Sequence, residues 1–143
     1  MAVKAVTLTK ELKYVSPEDP AKGTQDETIF LLQPLAAWQS AQVSDLLASF
    51  SADVASGGEA SSQMKVHQAA ILAVRFGLTG WHNFVDEANA IIDFKARSQN
   101  IGGKTVNAVD PALLDRIPMG EIFGMYRTLM ENGAPSEEAA KNS

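Results

Sequence analysis

The spacing of apolar residues predicts a β-hairpin in the first third of the chain. Residues 11–15 and 28–32 are short runs rich in leucine, β-branched and aromatic side chains, and the polar stretch SPEDPAKGTQDE separates them. Two prolines, one glycine and several acids make that stretch a loop. Strand, polar loop and strand form a hairpin pattern, although the loop is long for a hairpin.

Helical spacing begins after Pro34, where apolar residues recur at steps of three and four positions. These positions are Trp38, Val43, Leu46, Leu47, Phe50 and Val54. Serine and aspartate residues occupy the opposite side, as expected for an amphipathic helix. The pattern predicts a helix that begins at Leu35 and ends at Gly57 and Gly58.

A second helix is predicted to begin at Ser61 or Ser62 and to end at about Phe76. Its apolar stripe contains Met64, Ala70, Ile71 and Val74, with His67 among them. Gly77 follows directly. We expect Gly77 to cap the helix in the left-handed conformation, which glycine adopts at little cost.

The stretch GLTGWHNFVDEANAIIDF, residues 77–94, concentrates aromatic side chains between predicted elements. We expect Leu78, Trp81 and Phe84 to fold back on the second helix. Residues 85–86 and 92–94 are expected to form a short central hairpin around Asn89, because asparagine tolerates left-handed geometry. The following segment SQNIGGKTVNAVD is predicted to be a loop.

The last third of the chain predicts a capped turn of helix and a longer helix. Asp110 can cap a helix whose first turn contains Pro111, and a final helix is predicted from about Met119 to Asn132. The predicted fold class is α+β but mainly α: a small helical domain with an N-terminal β-hairpin and a short central hairpin. Residues 1–134 are predicted to form this single domain, and residues 135–143 a flexible acidic tail.

Composition excludes several classes of function. The chain has 143 residues, a net charge of −5 and no cysteine. The acidic balance argues against a nucleic-acid binder, which needs a basic face. Without cysteine there is no disulfide, thiolate metal site or cysteine nucleophile. The sequence shows no signal-peptide core and no membrane span, so we expect a cytoplasmic protein.

Candidate catalytic residues do not combine into a recognisable set. His82 lies near Asp86, Glu87 and Asp93, but no ligand pair has the spacing of a known metal motif. For His67 the structural interpretation, a partly buried helix histidine, is favoured over a ligand or base. No serine lies in a GxSxG elbow, and IGGKT lacks the earlier glycine of a phosphate loop. We therefore predict no enzyme activity, no cofactor and no metal.

Aromatic side chains are the remaining candidates for a binding surface. Tryptophan and tyrosine often anchor protein interfaces. The predicted partner-binding residues are Trp81, Phe84, Phe123 and Tyr126. The alternative is that each of these residues belongs to the core, as aromatic residues of a small domain often do.

The order of these elements resembles the small tail assembly chaperones of long-tailed bacteriophages. The resemblance spans most of the chain and is most distinctive in AVRFGLTGWHNFVDEANAIIDF. The matching residues are Leu32, Pro34, Leu35, Arg75, Gly77, Leu78, Gly80, Trp81, Asn83, Phe84, Asp86, Phe94, Ser136, Glu137, Glu138, Lys141 and Asn142. The sequence departs from the family in the turn after Asp86, where the usual glycine is absent and Asn89 stands in EANA.

The resemblance implies a non-enzymatic role in tail assembly. Such chaperones bind the tape-measure protein, help to recruit tail-tube subunits, act in the cytoplasm of the infected host and are absent from the mature virion. A longer frameshifted product is a further expectation, and self-association is left open. The alternatives are a structural virion protein of the tail or head–tail junction, and a small acidic regulator of a host partner.

Overall fold

The computed structural model of the chain describes residues 2–55 and 59–133, without the side chains of residues 49–64. The strands are β1 (Leu12–Val15), β2 (Ile29–Leu32), β3 (Leu78–His82), β4 (Ala96–Ile101) and β5 (Lys104–Val109). The helices are α1 (Ala37–Ala55), α2 (Glu59–Gly77), α3 (Pro111–Leu114) and α4 (Met119–Gly133).

An antiparallel sheet of three strands, in the order β1-β2-β3, carries one side of the core. The predicted N-terminal hairpin is confirmed: β1 pairs with β2, with Leu12 opposite Leu32 and Val15 opposite Ile29. The strand β3 was not predicted. It pairs with β2 and sets Phe30 opposite Trp81, so the segment that we expected to fold back on a helix extends the sheet instead.

A second sheet consists of the β4–β5 hairpin, where the sequence predicted a loop. Gly102 and Gly103 form its turn, with φ angles of 62° and 84°. A two-residue hairpin turn of this kind requires positive φ at both positions, which Gly-Gly supplies without steric cost. The two sheets make the protein an α+β domain, and the prediction of a mainly α fold is therefore wrong.

The long helices α1 and α2 follow the predicted order and pack against each other. Buried Val43 on α1 and buried Ala69, Ala70, Ala73 and Val74 on α2 belong to the core. The small alanine side chains let neighbouring elements approach α2 closely. The predicted helix end at Gly57 and Gly58 lies outside the described residues, and so do the side chains of Phe50, Val54 and Met64.

Gly77 ends α2 as predicted but not in the predicted conformation. Its φ is not positive, and the chain passes from α2 directly into β3. The reason for glycine here is packing, because a Cβ at this position would lie 2.7 Å from Cδ2 of Leu129 on α4. The Gly77 carbonyl also accepts a hydrogen bond of 2.8 Å from the amide of Gln33.

The last helices agree with the sequence. Asp110 caps α3 by accepting a hydrogen bond of 2.9 Å from the amide of Ala112. The buried face of α4, with Ile122, Met125 and Leu129, belongs to the core that α2 and the three-stranded sheet also line. The predicted acidic tail, residues 135–143, lies outside the described residues.

Candidate protein-binding site

Trp81 is the centre of an aromatic cluster between the three-stranded sheet and the segment that follows it. Its ring makes edge contacts with Phe30, Phe84 and Phe94, at centroid distances of 6.2, 5.0 and 4.9 Å. Its indole Nε1 donates a hydrogen bond of 2.7 Å to the carbonyl of Ile92. Only 8% of the residue is exposed. The structure thus places this predicted binding residue in the core.

The segment from Phe84 to Ile92, here called the 84–92 hairpin, lies where the short central hairpin was predicted, but it pairs Val85 with Ile91 and not residues 85–86 with 92–94. The amide of Ile92 donates to the carbonyl of Phe84 at 2.8 Å, and Val85 forms a bridge with Ile91. Asn89 has a φ of 62°, so it adopts the left-handed conformation that the turn was expected to require. The indole bond to Ile92 therefore ties this hairpin to β3.

Asp86 stabilises the turn of the 84–92 hairpin from within. Its Oδ1 accepts hydrogen bonds from the amides of Ala88 and Ala90, at 2.9 and 3.0 Å. Its own amide donates to the carbonyl of Ala90 at 3.0 Å. A short aspartate side chain commonly closes a turn through bonds to nearby amides. The role of Asp86 here is to hold the turn.

The tip of the 84–92 hairpin exposes two large apolar side chains. Val85 is 39% exposed and Ile91 is 70% exposed. Paired residues of an antiparallel bridge point to the same side of the hairpin, so Val85 and Ile91 present one apolar surface. Both are more exposed than any of the four aromatic residues predicted to bind a partner.

An open groove lies beside this tip. It is lined by Phe84, Val85, Asp86, Glu87, Ala88, Ile92, Arg116 and Pro118. The apolar residues come from the 84–92 hairpin and from Pro118, while Glu87 and Arg116 are exposed and charged. Within the described part of the chain Arg116 forms no ion pair, so its guanidinium can meet a carboxylate of a partner. Apolar contact with a charged rim is typical of protein interfaces.

The other two predicted binding residues lie on α4. Phe123 is half-buried, and its ring centroid is 5.2 Å from that of His67 on α2. His67 is exposed, contrary to the partly buried position expected for it. Tyr126 is also half-buried, and burial raises its pKa. Ring contacts join Trp81 to Phe84, but the described residues show no ring contact between that pair and Phe123 or Tyr126.

A polar cluster between β1 and α4 was not predicted from the sequence. The hydroxyl of Ser16 donates to Oε1 of Glu121 at 2.8 Å, while Oε2 of Glu121 is buried and has no hydrogen-bond partner among the residues that the structure describes. Burial raises the pKa of Tyr14, and the negative charge of Glu121 adds to this effect. Ser16 and Glu121 are 105 positions apart in the sequence, so no local pattern could reveal their contact.

The described residues contain no group of three acidic or histidine side chains placed to hold a metal ion. His82 is exposed at the end of β3, where it pairs with Ile29 of β2. Among the described helices none is both long and apolar enough to cross a membrane.

Comparison of the chain with family models, curated proteins and solved structures found no match.

Proposed function

We propose that this protein is a bacteriophage tail assembly chaperone that binds the tape-measure protein and helps to recruit tail-tube subunits, without enzymatic activity. The observation that carries the proposal is the exposed apolar tip of the 84–92 hairpin beside the groove. It lies within the stretch whose residues most resemble the tail assembly chaperones.

The chemistry of the groove suits an amphipathic helix of a tape-measure protein. Such a helix lays its apolar face into a groove and leaves its polar face outside. Val85 and Ile91 supply apolar contact, and Arg116 can meet an acidic residue of the helix. A chaperone that covers the apolar face of a partner stabilises the soluble state of that partner by mass action.

The four aromatic residues take different parts in this proposal. Phe84 lines the groove and contacts the partner. Trp81 positions the 84–92 hairpin through its contact with Phe84 and its bond to Ile92. Phe123 and Tyr126 offer a second, half-buried surface on α4 for the tube subunit. The proposed site of action is the cytoplasm of the infected host.

A structural virion protein of the tail or head–tail junction is the alternative. One observation favours it: the chain has two sheets, with three and two strands, where the sequence predicted mainly helix. Virion components of this kind tend to be rich in β-structure. The two functions differ in one measurable property, which is the presence of the protein in the finished particle.

Quantitative mass spectrometry of infected-cell lysate and of purified particles separates the two functions. The major tail-tube protein serves as the internal control, because it must be present in both samples. The chaperone proposal predicts an abundant protein in the lysate and none in the particles. A fixed copy number per particle would refute the chaperone proposal and favour the structural one.

A further inference from the structure

A second group of exposed apolar side chains lies in the segment that precedes β1. Val3, Val6 and Leu8 are 95%, 45% and 48% exposed. With Val85 and Ile91 they are the exposed large hydrophobic residues of the described chain. Val3, Val6 and Leu8 do not belong to the 84–92 hairpin, so the partner proposed for that hairpin does not explain their exposure.

The sequence of this segment continues the face pattern of β1. Alternate residues of a strand share a face, so even-numbered positions from 6 to 14 form one side and odd-numbered positions the other. The even side contains Val6, Leu8, Lys10, Leu12 and Tyr14, and the odd side contains Thr7, Thr9, Glu11 and Lys13. Leu12 is buried and Tyr14 half-buried, so the even side is the core side of β1. In an extended conformation Val6 and Leu8 would therefore continue the apolar face of the sheet beyond the end of the strand.

The segment nevertheless forms no strand within one copy of the chain. It turns after Thr7, where the amide of Lys10 donates to the carbonyl of Thr7 at 3.1 Å. Its alternating pattern is that of a half-buried strand, and such a strand needs a neighbour to satisfy its amides and carbonyls.

The neighbour is available at β1. This strand is at the edge of the three-stranded sheet, and no strand of the described chain pairs with its outer side. An open edge is a ready template for a strand from another molecule. A segment with a strand-like pattern and an unpaired strand edge thus follow each other in the sequence, and this combination favours a self-complementary two-fold interface.

We propose that the chain forms a two-fold dimer in which residues 4–14 of two copies pair as antiparallel strands along the open β1 edges and join the two three-stranded sheets. Pairing centred on Thr9 places Val6 of one copy opposite Leu12 of the other. A two-fold axis perpendicular to the sheet keeps both apolar faces on one side. The pairing covers Val6 and Leu8, and the alkyl stem of Lys10 packs beside Leu8. This proposal is independent of the proposed chaperone function.

Charge favours a second copy as the occupant of the edge. Residues 2–10 contain two lysines and no acid, whereas the chain as a whole has a net charge of −5. The loop that follows β1 contains Glu18, Asp19, Asp26 and Glu27, with Lys22 as its one basic residue. In the proposed pairing Lys4 lies opposite Tyr14 of the other copy, close to the start of this acidic loop. Opposite charges across an interface favour association and help to set its register.

Sedimentation equilibrium of the full chain over a range of concentrations tests the proposal. The wild type is expected to be a dimer, and the double variant Val6→Asp with Leu8→Asp is expected to raise the dimer dissociation constant at least about tenfold. The matched control is Val85→Asp with Ile91→Asp, which also changes two exposed aliphatic side chains, outside the segment. The control is expected to dimerise like the wild type. Circular dichroism melts check that each variant folds. We expect all of them to fold, because the four substituted side chains are exposed.

A backbone variant separates strand pairing from general hydrophobic contact. Thr9→Pro removes the backbone amide hydrogen at the centre of the proposed pairing and is expected to weaken the dimer. Thr9→Val keeps that amide hydrogen and is expected to dimerise like the wild type. Hydrogen exchange of residues 6–12 should slow as the protein concentration rises. A wild type that is monomeric at every concentration would overturn the proposal. So would a dimer that survives both the aspartate pair and the proline, or protection of the segment only by another protein.

Discussion

The aromatic cluster of Trp81 and Phe84, at β3 and the 84–92 hairpin, and the helix α4 each contain two of the predicted aromatic binding residues. The two regions differ in how deeply these residues are buried. Trp81 contacts three rings and makes a buried hydrogen bond, whereas Phe123 contacts one ring and stays half-buried. The most exposed apolar residues of the hairpin are aliphatic, Val85 and Ile91. The type of side chain therefore does not separate core from interface. What separates them is how many elements converge on the residue.

The sharpest test of this difference is truncation of one aromatic residue in each region. Trp81→Ala is expected to lower the free energy of unfolding by about 3–5 kcal/mol, because it empties the centre of the cluster. Phe123→Ala is expected to cost clearly less, about 1–2 kcal/mol, because the side chain is only partly buried. Denaturant unfolding measures both. Equal losses would show that the two regions do not differ as the structure indicates.

The buried side of α4 can be tested through two glycines of the same helix. A Cβ at Gly124 would overlap the ring and hydroxyl of Tyr14, whereas a Cβ at Gly120 would meet nothing within 4 Å. Gly124→Ala is expected to destabilise the protein by about 1–3 kcal/mol through overpacking. Gly120→Ala is the matched control and should be neutral or stabilising by up to about 1 kcal/mol. Thermal melts that rank the two variants in the opposite order would contradict the packing of α4 on β1.

Substitutions in the turn of the 84–92 hairpin should lower the free energy of unfolding less than Trp81→Ala or Gly124→Ala. Asp86→Ala removes the acceptor of two amide hydrogen bonds and is expected to cost about 1 kcal/mol. Asp86→Asn keeps an acceptor oxygen and should recover much of this loss. Asp93→Ala, at an exposed position just beyond the hairpin, should change stability by less than about 0.5 kcal/mol. An Asp86→Ala variant as stable as Asp93→Ala would show that the aspartate does not hold the turn.

The smallest expected effect is the dependence of stability on alkaline pH. Burial raises the pKa of Tyr14 and Tyr126 above the ordinary value of 10.0. The folded state therefore favours the neutral phenol, so this contribution is complete below pH 10.0 and is lost as pH rises through the folded-state pKa. Absorbance titration of Tyr14→Phe and Tyr126→Phe should assign the two late-titrating phenols. Tyrosines that all titrate at the ordinary value would contradict the burial of both groups.

Local sequence patterns predicted the elements whose signals lie close together in the chain. The β1–β2 hairpin, the order of the helices and the Asp110 cap depend on spacing within a few residues. The strand β3 was missed because LTGWH contains a glycine and few strand-forming residues, and its strand conformation comes from pairing with β2. The β4–β5 hairpin has mostly exposed polar residues, but its Gly-Gly turn was a usable signal.

The groove could be predicted only in part. The sequence VDEANAI shows two apolar ends around an asparagine turn, which indicates the tip of the 84–92 hairpin. Arg116 and Pro118, which follow the β4–β5 hairpin in the sequence, complete the groove. Their approach to Phe84 depends on how α3 and the aromatic cluster pack, and no local pattern encodes that distance. The burial of Trp81 agrees with the alternative that the sequence left open, in which the aromatic residues belong to the core.

The most direct test of the central claim, the proposed function as a tail assembly chaperone, is the affinity of the protein for a bacteriophage tape-measure protein. Titration calorimetry would compare the wild type with the double variant Val85→Asp and Ile91→Asp, and with Phe123→Ala as the variant on α4. Our account predicts that the aspartate pair weakens binding at least about tenfold with an unchanged Tm. An aspartate pair that binds like the wild type would contradict the assignment of the partner to the 84–92 hairpin.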